Sequence, residues 1–254
     1  MTIAIAGDAL VGYLLASARI LAWLLVVPPF SSKALPGTAK VVLAVGLAVA
    51  VAPASKVAVP TDAVGLAVVA GEQVLVGGML GFVTYLVFAA VSAAGSLVDV
   101  FGGFSLAQAF DPMSVNQNSV FGTFHQFLAT ALLFTTKTHL LVIGGLLETF
   151  RVLPVGQMPA MPHSANVLTT GATLMFLSAV QIALPMVAVL VLADLGLALM
   201  TKVAPQLNAM NVMFPAKIGL VLLILGMSFP VLPGVVSRLG GLATQAMAAV
   251  VGAG

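Results

Sequence analysis

Few residues of this sequence are of a type that does chemistry. The chain of 254 residues has no cysteine and only three histidines, His125, His139 and His163. On one helix, His125 and His139 would lie about 21 Å apart, too far to share a metal ion. The sequence contains no HExxH, GxSxG or GxxxxGK[ST] motif. It therefore predicts no enzymatic activity, no metal site and no bound cofactor.

Seven charged residues fall within or at the ends of apolar stretches, where a charge is costly in lipid. Two explanations are open: the charges pair or sit at helix ends, or they form a proton relay. A relay would gather carboxylates on one helix, and these are scattered, so pairing is favoured. Glu148 and Arg151 are spaced i,i+3 and are candidates for such a pair. The seven residues are Arg19, Glu72, Asp99, Lys137, Glu148, Arg151 and Asp194.

The composition indicates a membrane protein. Of all residues, 61% are hydrophobic and 6% are charged, whereas a soluble domain has about 25% charged residues. The net charge is only +2 and no basic cluster exists, so nucleic acid is not an expected partner. Membrane lipid is an expected one.

Six apolar stretches predict an all-α, membrane-associated fold of about six long, partly kinked helices. Three of them run for about 30 residues or more, beyond the ~20 that cross a bilayer core, so these helices must tilt, kink or extend outside it. A tail over 233–254 is predicted to form a last amphipathic helix. The stretches are 9–27, 39–59, 64–101, 121–150, 167–200 and 213–231.

Breaker residues mark the joints between these helices. Asp62 follows a proline and is a candidate helix cap. Prolines between 154 and 162 predict one loop, and Pro205 and Pro215 bracket another. Gly77 and Gly81 form a small-xxx-small pattern, which predicts close helix packing in the third stretch.

A polar loop over 102–122 interrupts the apolar chain near its centre. It is rich in Gly, Asn, Gln and Ser, but Asp111 is its only charge. Apolar residues interleave with the polar ones, which is unusual for a loop in bulk water. Polar backbone at membrane depth survives only when it is buried in protein or faces a water-filled cavity. The pattern favours a re-entrant loop in a pore, with an ordinary surface loop as the alternative.

Three segments together resemble the FliR family of the flagellar type III export apparatus. They are ARILAWLLVVPPFSSKALPGTAKVVLAV (18–45), VDVFGGFSLAQAFDP through HLLVIGGLLETFRVLPVG (98–156), and APQLNAMNVMFPAKIGL (204–220). The third is the most specific, because Pro-Gln-Leu-Asn is followed by Phe-Pro-x-Lys-Ile-Gly. Its motif residues are Pro205, Gln206, Asn208, Phe214, Pro215 and Lys217.

The resemblance implies a subunit of a protein export gate. Such a subunit would join FliP and FliQ around a conduit for unfolded flagellar subunits, dock FlhB, and lie in the bacterial cytoplasmic membrane at the flagellar basal body. It would be one domain over 1–254 whose helices form hairpins. Residues up to about 165 would resemble a P-type subunit, and about 166–254 a Q-type helical hairpin and tail.

The resemblance also implies that the polar loop plugs the closed pore. Uncharged polar groups together with Phe and Met can seal a constriction and still release it, Met being especially adaptable. The plug residues would be Gly102, Gly103, Phe104, Leu106, Phe110, Asp111, Pro112, Met113, Val115, Asn116 and Gln117.

Two other functions remain as alternatives. The T-type subunit of a virulence injectisome shares the ancestry and would act in effector export instead. A secondary transporter is more remote, since it predicts repeats between the two halves of the chain, and no convincing repeat is present.

Overall fold

A computed structural model describes residues 2–32, 35–51, 62–105, 119–159, 161–203 and 209–252. Every regular element in these ranges is an α-helix, which confirms the predicted all-α class. Eight helices occur there: α1 Thr2–Val26, α2 Gly37–Val51, α3 Ala63–Gly102, α4 Val120–Thr135, α5 Thr138–Val152, α6 Met161–Val203, α7 Ala209–Ser228 and α8 Leu232–Val250.

The helices are long enough and apolar enough to cross a membrane. Three described segments qualify alone, Ala9–Val26, Ala63–Gly102 and Thr169–Val203. Two further pairs, each broken by a short bend, would raise the number to five. Helix α3 has 40 residues, or about 60 Å of length, against a hydrocarbon core of about 30 Å. Helix α3 is therefore longer than the bilayer core requires, as predicted for the long apolar stretches.

Some predicted joints lie elsewhere in the structure. The stretch 121–150 forms two helices, because the chain breaks at Lys137, which has a left-handed backbone (φ 58°). Neither Pro nor Gly marks that break. The prediction of a loop between Pro205 and Pro215 is wrong for its C-terminal part, because α7 begins at Ala209 and contains Pro215. A proline there removes one backbone donor near the helix start without ending the helix.

The chain forms two compact units. The first comprises Met1–Phe88, Lys137–Thr173 and Leu239–Gly254, and the second comprises Ala89–Thr136 and Leu174–Arg238. The predicted division into a P-like part and a Q-like part concerns likeness to other subunits, so it stays a prediction.

The first unit has a core built from α1, α2, α3, α5 and α8. Trp23, Ile20 and Leu80 are fully buried in it, together with Leu146 and Met247. Helix α8 contributes Ala246, Met247 and Val250, which share one face of the helix. The tail predicted to be an amphipathic helix therefore packs the C-terminal part of its apolar face into this core.

Close contact between α1 and α3 depends on the predicted glycine pair. A Cβ on Gly77 would overlap the backbone carbonyl of Arg19 and lie 3.0 Å from Cβ of Ala22. A Cβ on Gly81 would lie 3.0 Å from Cβ of Val26 and 3.3 Å from Cα of Trp23. The prediction of close packing at these glycines is confirmed.

The second unit has a smaller core. It gathers Val98 of α3, Phe121 of α4, Met186 and Leu190 of α6, and Val221 and Leu225 of α7. Four helices thus meet at the place where the polar loop leaves α3 and returns to α4.

Substituting the neighbouring glycines Gly77 and Gly78 of α3 separates the effect of helix packing on stability from the effect of helix propensity. Gly77→Ala should destabilise the protein by about 2–4 kcal/mol, because its methyl group meets the backbone of α1. Gly78→Ala is the matched control, since nothing lies within 4 Å of a Cβ there. It should be neutral or stabilising by up to about 1 kcal/mol. Thermal unfolding of the detergent-purified variants measures both, and equal melting temperatures would contradict the packing.

Candidate functional site

The site predicted from the sequence is the polar loop, and the structure describes both of its ends. Residues 106–118 lie outside the described residues, and with them the predicted plug residues Leu106, Phe110, Asp111, Pro112, Met113, Val115, Asn116 and Gln117. Gly102, Gly103 and Phe104 are described. We call residues 101–105 and 119–121 the loop neck.

The two sides of the loop neck touch each other. The rings of Phe104 and Phe121 meet edge to face, with centroids 4.9 Å apart and planes at 87°. This is a favourable geometry for an aromatic pair. Phe121 is buried in the second core. The chain therefore leaves α3 and re-enters α4 at nearly the same point, and the intervening loop is closed at its base.

A buried carboxylate fixes the C-terminal side of the neck. Asp99 of α3 accepts hydrogen bonds from the hydroxyl of Ser119 and from the backbone N–H of Phe121, at 3.2 Å. The Ser119 hydroxyl in turn accepts from the N–H of Gly122 at 2.8 Å, as a helix cap. Asp99 is 3% exposed, and its negative charge lies at the positive end of the α4 dipole. It thus occupies a helix end, as the sequence favoured.

Close contact of α3 and α4 brings Asp99 within reach of the cap. A Cβ on Gly95 would lie 2.7 Å from Cα of Gly122, and a Cβ on Gly122 would lie 2.8 Å from Oγ of Ser96. Only small residues allow the two backbones to approach this closely. Sequence reasoning missed these glycines, although Ser92, Gly95 and Ser96 form a run of small residues that signals such a contact.

The side chain of His125 forms a hydrogen bond within the first turns of the same helix, α4. Its Nδ1–H donates to the carbonyl of Phe121 at 2.7 Å, one turn back in α4. The ring is buried, at 3% exposure. Within the described ranges no group of three or more His, Asp or Glu residues is arranged to hold a metal ion.

A lysine fixes the N-terminal side of the neck. Lys217 of α7 donates from Nζ to the carbonyl of Phe101, in the last turn of α3, at 3.4 Å. The same Nζ lies 2.5 Å from Oδ1 of Asp194 in α6. After Phe101, Gly103 turns the chain with φ 83° and donates its N–H to the carbonyl of Val100. A cation at a helix C-terminus is favourable for the dipole and for the unpaired carbonyls.

The motif that contains Lys217 is only partly described. Pro205, Gln206 and Asn208 lie outside the described residues. Phe214 and Pro215 belong to the first two turns of α7, and Pro215 is exposed. Among the described contacts of this motif, those of Lys217 connect it to the loop neck.

A further buried charge, Arg19 of α1, lies in the first unit. Its Nε and Nη2 both donate to Oε1 of Gln73, at 2.9 and 2.5 Å. Nη1 donates to the carbonyl of Leu153 at 2.8 Å, and Nη2 also donates to the carbonyl of Pro154 at 3.3 Å. The guanidinium also lies 4.3 Å from the ring centre of Phe150. Arg19 is fully buried and has neutral acceptors in place of a carboxylate. It bonds the carbonyls that end α5.

Glu148 and Arg151 approach each other on the surface of α5. Their charged atoms are 3.2 Å apart, and the side chains are 61% and 75% exposed. An exposed pair of this kind contributes little to stability.

Comparison with known proteins decides the family. A family model described as "Bacterial export proteins, family 1" matches residues 10–241, nearly the whole chain. The chain belongs to the FliR family. It is a bacterial export protein with transmembrane helices, a membrane-embedded component of an export apparatus.

Its relatives include flagellar and virulence proteins. The chain is 32% identical over 220 residues to "Flagellar biosynthetic protein FliR" of Pectobacterium carotovorum subsp. carotovorum, covering 85% of this chain and 83% of the relative. It is 33% identical over 198 residues to the protein of that name in Escherichia coli K12, covering 78% and 76%. It is 27% identical over 221 residues to "Yop proteins translocation protein T" of Yersinia pestis, covering 85% of each.

Replacing Asp99 tests the buried cap against an exposed one. Asp99→Ala leaves the Ser119 hydroxyl and the Phe121 N–H buried without their acceptor, so it should cost about 2–4 kcal/mol. Asp62→Ala removes the exposed cap that accepts from the N–H of Gly65 at 2.8 Å, and should cost about 1 kcal/mol. Thermal unfolding in detergent compares them. An Asp99 variant as stable as the Asp62 variant would contradict the buried cap.

Replacing Arg19 tests the neutral acceptor set in the first unit. Arg19→Lys keeps the charge but not the planar fork, which meets Gln73 with two N–H groups and lies over the Phe150 ring. A loss of about 3 kcal/mol is expected. Arg151→Lys is the exposed control and should change stability by less than about 0.5 kcal/mol. Membrane abundance and melting temperature report on both. Similar values for the two variants would refute a special role of Arg19.

Proposed function

We propose that this chain is a subunit of the flagellar type III protein export gate. With FliP and FliQ it forms a conduit for unfolded flagellar subunits and docks FlhB. It lies in the bacterial cytoplasmic membrane at the base of the flagellum, and its polar loop plugs the closed pore. The observation that carries the proposal is the likeness over most of both chains to proteins named as flagellar FliR, at 32–33% identity.

The distribution of apolar surface supports a place within an assembly or in lipid. In the candidate span of α6, only 17% of the residues are buried, against 61% in that of α3. Large apolar side chains remain exposed along α6, among them Phe176, Leu184, Leu192, Leu195 and Leu199. A helix with this much exposed apolar surface needs contact with apolar surfaces of other subunits or with lipid. This agrees with a hetero-oligomeric gate in a membrane.

The closed loop neck supports the plug. A loop whose ends touch and are separately bonded can project into a pore without the flanking helices moving apart. The described bonds at its ends are made by Asp99 and Lys217, while the loop sequence between them has one charge, Asp111. A plug with so few charges suits a pore that must pass chains of many sequences.

A T-type injectisome subunit is the second candidate. Its support is the likeness to "Yop proteins translocation protein T", 27% identical over 85% of each chain. Complementation separates the two proposals: the flagellar one expects the gene to restore motility to a strain lacking its own FliR, while an injectisome null strain stays without secretion. The reverse result would favour the injectisome. Family membership gives no support to a secondary transporter.

The plug is tested by replacing residues 106–118 with a short Gly-Ser linker. This leaves Phe104, Ser119 and Phe121 in place, so the neck can still form. In cells expressing the gate with its P-type and Q-type partners, the replacement should raise ion and small-molecule leak well above that of the wild-type gate. Co-purification of the partners with the variant is the control for assembly. Unchanged leak through an assembled gate with normal export would make the loop an ordinary connection.

A further inference from the structure

We propose that Lys217 is a positioning residue for the polar loop. It holds the N-terminal side of the loop neck on the carbonyl of Phe101, while Asp194 compensates its charge. The inference rests on the proposed function in one respect, namely that the loop plugs a pore. The positioning itself is argued from described contacts alone.

The Lys217 ammonium joins three helices. It bonds the end of α3 through the Phe101 carbonyl and forms an ion pair with Asp194 of α6, while belonging to α7 itself. An ammonium has three N–H donors, enough for both partners. The contact with Asp194 is the shorter of the two, at 2.5 Å against 3.4 Å for the Phe101 carbonyl. The ion pair therefore anchors the ammonium, and one of its donors also reaches the last turn of α3, immediately before the loop.

The Phe101 carbonyl needs such a donor. The last four carbonyls of a helix lack intrahelical partners, and α3 ends at Gly102. Gly103 donates to Val100 and so leaves the carbonyl of Phe101 to Lys217. The Lys217 side chain is 9% exposed, so water has little access to replace it. Losing the lysine would leave the start of the loop without its one described polar tether.

The two sides of the neck differ in what they depend on. Asp99 and Ser119 are 20 residues apart and join adjacent helices. Lys217 is 116 residues from Phe101 and links the neck to α7 and, through Asp194, to α6. The polar bonds of the C-terminal side therefore lie within α3 and α4, whereas the polar bond of the N-terminal side comes from α7 and is coupled to α6.

A packing contact beside Lys217 supplies a control. Val221 lies one turn further along α7, is fully buried, and would meet a Cβ on Gly102 at 3.0 Å from its own Cγ2. Val221→Ala therefore weakens the same α3–α7 contact without touching the hydrogen bond. It should lower the melting temperature but leave the exposure of the loop nearly unchanged.

The test measures loop exposure directly in the assembled gate. The chain has no cysteine, so Met113→Cys gives a single thiol in the loop for a membrane-impermeant maleimide. Adding Lys217→Met should raise the labelling rate about tenfold, as expected for loss of one bond to a charged donor. Lys217→Arg should keep the wild-type rate, since its guanidinium can still donate to the carbonyl. Val221→Ala should change the rate by less than about twofold.

Removing the ion pair alone separates positioning from charge pairing. Asp194→Asn abolishes the ion pair but leaves the Lys217 ammonium able to donate to the Phe101 carbonyl. The labelling rate should therefore stay close to that of the wild type. A rate as high as that of Lys217→Met would overturn the proposal, because the ion pair and not the bond to α3 would then hold the loop. A wild-type rate in Lys217→Met would overturn it as well.

Leak assays of the same variants keep the two proposals apart. If Lys217→Met raises both labelling and leak, positioning and plugging are both supported. If it raises labelling while the gate with residues 106–118 replaced does not leak, Lys217 positions a loop that is no plug, and only the proposed function fails. If the replaced gate leaks and Lys217→Met changes neither labelling nor leak, the plug stands and the role of Lys217 fails.

Discussion

A helix that ends in apolar surroundings must bond its last carbonyls or first N–H groups to something other than water. This constraint accounts for three of the buried charges in the described part of the chain. Arg19 bonds the carbonyls of Leu153 and Pro154, directly after α5, and Lys217 bonds the end of α3. Asp99 accepts from the N–H of Phe121, in the first turn of α4. Each charge has the sign that the helix dipole favours at that end.

The same constraint explains why glycines and charges occur together. A side chain reaches a neighbouring helix end only if the helices are in near contact. The α1–α3 contact passes through Gly77 beside the carbonyl of Arg19, and the α3–α4 contact passes through Gly95 beside Gly122. Close backbone approach and buried polar bonding therefore depend on one another. An apolar chain with few charges gains defined helix positions from this arrangement, where non-directional packing alone would leave sliding possible.

The sequence could predict what depends on neighbouring residues and little of what depends on distant ones. Apolar stretches located the helices, Asp62 was recognised as a cap, and Gly77 and Gly81 as a packing pair. The break at Lys137 has no Pro or Gly to signal it. Gln73 as the partner of Arg19 lies 54 residues away, and only the tertiary fold brings the two together.

The distribution of charge around the polar loop follows from two opposite demands. The neck must hold its shape beside a buried core, which requires strong bonds to groups that cannot be solvated; Asp99 and Lys217 make them. A segment that is to be displaced must not make such bonds, because a buried charge that loses its partner costs several kcal/mol. Charged groups at the two ends with nearly uncharged sequence between them satisfy both demands. For the proposed plug, the composition of the loop and the bonding of its neck thus follow from one requirement, that the neck stays in place while the segment between its two sides is displaced.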